Sequence, residues 1–355
     1  MNSLPLAALL VIFLAAGTAI WLAGIKLSGA TDVLETRLGL GEALGGLILL
    51  AIVTNLPEIA IVVSASVAHS LGIAVGNILG GIAIQTVVLV VLDATGLPGD
   101  VALSYRGASL IVLLEAATVV AVLGLTVMGS QLPKGLLLWR IDPAALLITA
   151  AWVAGLWLVD RARDGLPWHA EGQPPDGQRL PRGHSKVATE RRASNRGVST
   201  ARAAIVFAVG AIVTLAAGVV LERSGEAIAV HIHLSGILFG STVLAAATAL
   251  PELSTGLASV RLGDYQLAFS DIFGGNAFLP VLFLPASLLS GQAVVPQAHP
   301  TDIYLTGLGI LVTVVYIFGI VFRPARTIGR LGLDSAVVLV LYLIGIAGLV
   351  AIATT

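Results

Sequence analysis

The chain has 355 residues, 57% of them hydrophobic and only 11% charged, less than half the charge of an ordinary soluble domain. Apolar runs of twenty or more residues recur along it, each enough to cross a ~30 Å hydrocarbon core, so it reads as a polytopic membrane protein. Soluble enzymes, nucleic-acid binders and secreted scaffolds are excluded. Cysteine is absent, which removes disulfides, thiolate nucleophiles and Cys-ligated metals, and the net charge of -1 says nothing about partners.

In chain order, spans are predicted at 4–25, 38–66, 71–92, 106–129, 143–160, 203–221, 233–260, 265–290, 302–322 and 334–353. The first lacks a basic leader and is too long for a signal-peptide core, so it reads as a retained helix. Trp152 and Trp157 suit an interfacial anchor for the short fifth span. Residues 161–202, rich in Pro, Gly, Arg and Ser, read as a loosely ordered linker. The chain thus divides into a first five-helix half (1–160), the linker, and a second half (203–355).

With the N-terminus outside, sixteen Lys and Arg fall on the inner segments, nine of them in the linker. Only Lys134, Arg140 and Arg223 fall outside. The positive-inside rule then puts the linker in the cytoplasm and both termini outside. Five spans per half also mean that the second half is inserted upside down, the inverted-repeat architecture of many secondary transporters.

The repeat is visible in the residues. Residues 54–85 align without a gap on 248–279, with nine identities in 32 positions, among them T-x-L-P-E at one fixed distance from a Gly-Gly pair. Each T-x-L-P-E lies in a span too long for one regular helix. Pro57 and Pro251 each remove a backbone donor and crowd the preceding turn, so both spans are expected to break there. Such breaks expose helix ends and carbonyls at mid-membrane, where transporters build ion sites. The pairs Gly80-Gly81 and Gly274-Gly275 allow close backbone approach or further unwinding.

The acidic residues agree. Only Glu58, Glu115, Glu252 and Asp271 fall well within predicted spans. An intramembrane carboxylate is costly and points to function. Glu58 and Glu252 hold equivalent positions in the two copies, so a pseudo-two-fold brings them face to face. With Thr54 and Thr248 one turn earlier, they form a hard, oxygen-rich site suited to Ca²⁺, Mn²⁺, Mg²⁺ or Na⁺.

At these residues the chain resembles the cation/calcium exchanger superfamily, whose two alpha-repeats read G-T-S-L-P-E-L followed by G-N-x-x-G-S-N. Here they stand as VTNLPEI with GNILGGI, and ATALPEL with SDIFGGN. The resemblance implies an all-α protein of ten transmembrane helices in two inverted five-helix repeats. It implies cation ligation by Thr54, Glu58, Thr248 and Glu252, with Asn77 and Asp271 at the second motif. Asn55, Gln85 and Asn276 are further oxygen donors. Several of the family's hydroxyl positions are replaced, by Asn55 and Ala249, by Gly81 and Gly275, and in the second copy by Leu279.

The implied activity is antiport of a divalent cation, Ca²⁺ first, against Na⁺ or H⁺, in the inner (plasma) membrane and in contact with lipid. No cofactor, covalent chemistry or nucleic-acid partner is expected. The alternatives are a cation channel, or an exchanger of Mn²⁺, Mg²⁺ or Na⁺. Three acids with fewer hydroxyls around them favour protons, at least in part, as the counter-ion. Glu115 has no acidic repeat mate and reads as a polar partner across a helix interface, with proton shuttling the other reading. His231 and His233 at the outer mouth read as solvated.

Overall fold

A computed structural model describes residues 1, 4–38, 51–96, 101–165, 198–234, 236–261 and 263–353. Most of the predicted linker, and the first part of the second predicted span, lie outside the described residues. Among the described residues eight helices are long and apolar enough to cross a membrane, and a ninth span is formed by a bent pair.

The first half contains α1 (Leu6–Leu38), α2 (Leu56–Val67), α3 (Leu71–Gly96), the short α4 (Leu103–Gly107), α5 (Leu110–Gly129) and α6 (Pro143–Asp164). The second half opens with α7 (Thr200–His231) and α8 (Gly236–Phe239), followed by one π turn over Gly240–Leu244. Next come α9 (Ala245–Thr248), α10 (Leu250–Arg261), α11 (Tyr265–Phe278), a 3₁₀ turn at Leu279–Leu282 and α12 (Phe283–Ser290). The chain ends with α13 (Pro300–Phe322), a two-stranded hairpin of β1 (Thr327–Ile328) and β2 (Leu331–Gly332), and α14 (Leu333–Ala353).

Helix starts follow local chemistry. Ser109, Asp142, Ser199 and Asp264 each accept a first-turn backbone N–H through the side chain, satisfying donors that a helix leaves open. Pro143 and Pro300 occupy the first turns of α6 and α13, where the missing N–H costs nothing.

Helix ends differ from the sequence reading. α1 runs on to Leu38 and α7 covers Thr200–His231, because a helix continues through charged residues after it leaves the apolar layer. α6 extends into the predicted linker as far as Asp164, and the Ser199 cap starts α7 within it at Thr200. Trp152 is half-buried against the core and packs on Phe278, ring centroids 5.6 Å apart, whereas Trp157 is exposed.

The two halves keep step. α1 and α7 start at Leu6 and Thr200, α2 and α10 at Leu56 and Leu250, and α3 and α11 at Leu71 and Tyr265. All three pairs share the spacing of the sequence repeat.

The core is divided. One large apolar cluster joins α2, α3, α5 and α6 to α10–α14. A second, smaller cluster holds α1 and α7 together with Phe239, Leu244 and Ile61. The two long helices therefore form a unit packed against each other and laid across the broken segments. α3 and α11, the most enclosed of the long elements, carry the second motif of each copy through the centre.

Candidate cation-binding site

Both proline breaks form. Helix precedes Asn55 and resumes at Leu56, with Asn55 outside helical geometry at φ -89° and ψ 17°. In the second copy α9 and α10 meet at Ala249 with a bend of 47°. Since proline brings no N–H, the carbonyls four residues earlier, at Val53 and Ala247, lose their helical donor. Glu58 and Glu252 each stand in the first turn after the break, where the positive end of the helix dipole favours an anion.

The two glutamates meet at Gln85. Its amide nitrogen lies 3.2 Å from Glu252 Oε1, 3.5 Å from Glu58 Oε1 and 3.2 Å from Asn55 Oδ1. The second oxygen of each glutamate, Oε2, accepts no hydrogen bond, and neither does Gln85 Oε1. Thr248 donates to the Ala245 carbonyl at 3.1 Å and faces Glu58.

Asp271 completes the group. Thr54 Oγ1 lies 3.4 Å from its Oδ1. The Thr255 hydroxyl lies against its Oδ2 and 3.1 Å from the Glu252 carbonyl. All of these side chains are at most 4% exposed, so the centre is buried. Among the described residues no Lys, Arg or His hydrogen-bonds to any of the three carboxylates. They also do not close into a set of three direct metal ligands: the glutamates form a pair, with Asp271 behind Thr54 and Thr255.

Of the nine residues picked from the sequence, Thr54, Asn55, Glu58, Gln85, Thr248, Glu252 and Asp271 come together here. Asn276 turns aside and donates to Thr86 Oγ1 at 3.0 Å. Asn77 is fully buried, yet neither atom of its amide has a hydrogen-bond partner. Thr255 was missed. Its position one turn after Glu252 on the same helix was the available signal, and its first-copy counterpart, Ile61, is apolar. Glu222 was also missed: it is a buried acid within α7. Glu115 accepts from Ser270 across the α5–α11 interface at 2.6 Å.

The Gly-Gly pairs serve close approach rather than unwinding. α11 runs through Gly274-Gly275 without a break and gives way only at Leu279. A Cβ on Gly275 would come within 2.8 Å of Asn55 Nδ2, and one on Gly80 within 2.6 Å of the Ser241 Cα. Asp271 therefore reaches the centre from an intact helix.

Such a centre supplies buried carboxylate, hydroxyl and amide oxygens with no basic side chain bonded to them among the described residues, chemistry that selects hard cations. A family model described as "Sodium/calcium exchanger protein" matches residues 8–161 and 202–351. The "Inner membrane protein YrbG" of Escherichia coli (strain K12) is 27% identical over 313 residues, 86% of this chain and 87% of that one. The "Putative antiporter CaxA" of Alkalimonas amylolytica is 26% identical over 279 residues, 79% of each chain. Among solved structures, the H⁺/Ca²⁺ exchanger CAX superposes with a TM-score of 0.66 at 11% identity, covering 97% of this chain and 85% of that one. The sodium-calcium exchanger NCX_Mj superposes with a TM-score of 0.60 at 16% identity, covering 97% and 99%. These two likenesses are likenesses of fold.

Proposed function

Because the chain belongs to the sodium/calcium exchanger protein family, we propose that it is a secondary antiporter. It moves a divalent cation, Ca²⁺ foremost, against Na⁺ or H⁺ by alternating access, without covalent chemistry. The observation that carries this reading is the pair Glu58 and Glu252: fully buried, bridged by Gln85, and each left with one oxygen free of hydrogen bonds. Two unpaired carboxylates match the charge of one divalent ion. They hold either that ion or its counter-ions, and this exclusion couples the two fluxes.

The architecture behind the reading is two inverted five-helix repeats, predicted over residues 1–160 and 203–355 with α6 and α7 running into the ends of the 161–202 linker, which is cytoplasmic, with both termini external. The matched starts of α1 and α7, α2 and α10, and α3 and α11 support it. So does the separate apolar cluster of α1 and α7, which suits a pair that rocks over a fixed core. Protons serve, at least in part, as the counter-ion: three carboxylates share the centre, with no basic partner among the described residues. Sodium coupling is the second reading, favoured by Gln85 Oε1, an amide oxygen without a hydrogen bond beside both glutamates.

The test is uptake of radiolabelled Ca²⁺ into proteoliposomes under imposed Na⁺ or H⁺ gradients. Antiport requires uptake that follows one of these gradients and stops when it is collapsed. Ca²⁺ current that persists without any counter-ion would make the protein a channel instead.

A further inference from the structure

A second pair of buried acids lies away from the centre. Asp93 is near the end of α3, eight residues after Gln85 and so about 12 Å further along that helix. It is 2% exposed. Its Oδ1 accepts from the Leu103 backbone N–H at 2.7 Å and its Oδ2 from the Gly332 N–H at 2.6 Å. It thus ties α3 to the start of α4 and to β2.

Asp334, in the first turn of α14, is 5% exposed, and neither of its carboxylate oxygens accepts a hydrogen bond. The two acids converge on Gly332. A Cβ there would lie 2.7 Å from Asp334 Oδ1 and 3.1 Å from Asp93 Oδ2, so both carboxylates close on this glycine and a side chain would collide with them.

The rest of the shell is polar and incomplete. Ser104 is 1% exposed and turned towards Asp334, yet its hydroxyl makes no hydrogen bond. Tyr316, fully buried beside both acids, engages Ser335 at 3.1 Å. The nearby Arg323 donates to the Tyr105 carbonyl at 3.0 Å and stacks over the Tyr105 ring at 4.7 Å, so its charge is spent elsewhere. An uncompensated carboxylate pair in a buried position is costly. The Ser104 hydroxyl and both Asp334 carboxylate oxygens lie close together, buried, and none of the three has a hydrogen-bond partner.

We propose that Asp93 and Asp334, with the Ser104 hydroxyl, form a second cation site, built for a hard divalent ion such as Ca²⁺ or Mg²⁺ and separate from the transport centre. Two carboxylates balance the ion's charge. Asp334 contributes both oxygens, Asp93 Oδ2 and Ser104 add one each, and the larger coordination number of Ca²⁺ is completed by backbone or water oxygens. A bound ion fastens the end of α3 to α4 and to the hairpin between α13 and α14.

The test uses the full-length purified chain with the centre disabled by Glu58→Gln and Glu252→Gln, probed with Tb³⁺ luminescence sensitised by tyrosine and displaced by Ca²⁺. Tyr316 is the expected antenna. The double variant is expected to retain Ca²⁺-displaceable emission, and adding Asp334→Asn should weaken the affinity more than about tenfold, the loss of one charged ligand. Ser104→Ala keeps both carboxylates and serves in place of Asp334→Asn if that variant fails to elute as a single species; a severalfold loss is expected. Absence of displaceable emission in the double variant overturns the site. So does emission of unchanged affinity in whichever of the two substituted proteins folds. Because the centre is already disabled, the result does not depend on whether the protein proves to be an antiporter.

Discussion

Gly218 of α7 lies directly on Pro57: a Cβ on the glycine would come within 3.1 Å of the proline Cα and of its carbonyl oxygen. Its repeat counterpart, Gly24 of α1, meets Pro251 the same way, with a Cβ falling 3.2 Å from the Cα. The two long helices thus touch the two broken helices at the breaks themselves, each through a residue with no side chain. A pair that must shift across the glutamates has its thinnest contact where the ligands are anchored.

Larger residues at these points are expected to hinder the shift more than binding. Overpacking costs about 1–3 kcal/mol, and about 1.4 kcal/mol is tenfold in a rate. Gly218→Val and Gly24→Val should each slow exchange tenfold or more while divalent affinity moves by less than about threefold. Turnover in proteoliposomes beside equilibrium binding on the same preparation checks this. Equal losses in both would mean that these glycines shape the site rather than the motion.

Glu58→Gln and Glu252→Gln should each abolish divalent transport, since each removes half of the charge that balances the ion. Among the described residues neither carboxylate has an ion-pair partner, so thermal stability of the ion-free protein should hold or rise. Gln85→Leu, which installs the residue that the second copy carries at 279, should weaken divalent affinity about tenfold or more without abolishing transport. Transport assays with thermal melts on each variant separate these outcomes. Wild-type transport by either glutamate variant removes the central-site reading.

The repeated T-x-L-P-E was legible because proline's missing N–H acts locally, whatever surrounds it, and the glutamates followed from it. The final two spans of each half were legible as apolar runs alone. What escaped depends on neighbours in space. Thr255 is one more hydroxyl on α10 until α11 brings Asp271 against it. Gly274-Gly275 has the composition of a hinge, and only the passage of Asn55 beside it shows a packing notch. Asn276 and Asn77 share the motif's polarity, but a helix rotation of one position separates Asn276, which meets Thr86, from Gln85's partners. Glu222 was hidden by its charged neighbours Arg223 and Glu226, which made the end of α7 read as solvent-facing.

Topology is testable without transport. Sixteen of nineteen Lys and Arg fall on one side if the linker is cytoplasmic, so a reporter fused within 165–200 should read cytoplasmic. Reporters at residues 1 and 355 should both read external. A cytoplasmic C-terminus with an external N-terminus would require an odd number of spans and would remove the inverted pairing of α1 with α7.

The counter-ion is decided at Asp271. A proton-coupled centre competes with the divalent for the same carboxylates, so lowering the pH should weaken apparent Ca²⁺ affinity and raising it should strengthen it. Asp271→Asn removes one of three proton-accepting groups beside the ion, and the pH dependence should become shallower while Glu58 and Glu252 still bind Ca²⁺. Under sodium coupling the dependence on pH is weak to begin with, and Ca²⁺ efflux follows a Na⁺ gradient, high outside, at clamped pH. The measurement is Ca²⁺ efflux from loaded proteoliposomes against each gradient in turn, for the wild type and Asp271→Asn. Efflux driven by the proton gradient and blunted by the substitution is the expected result. Strong Na⁺-driven efflux at clamped pH, unchanged in Asp271→Asn, would assign the coupling to sodium and leave Gln85 Oε1 as the oxygen that serves it.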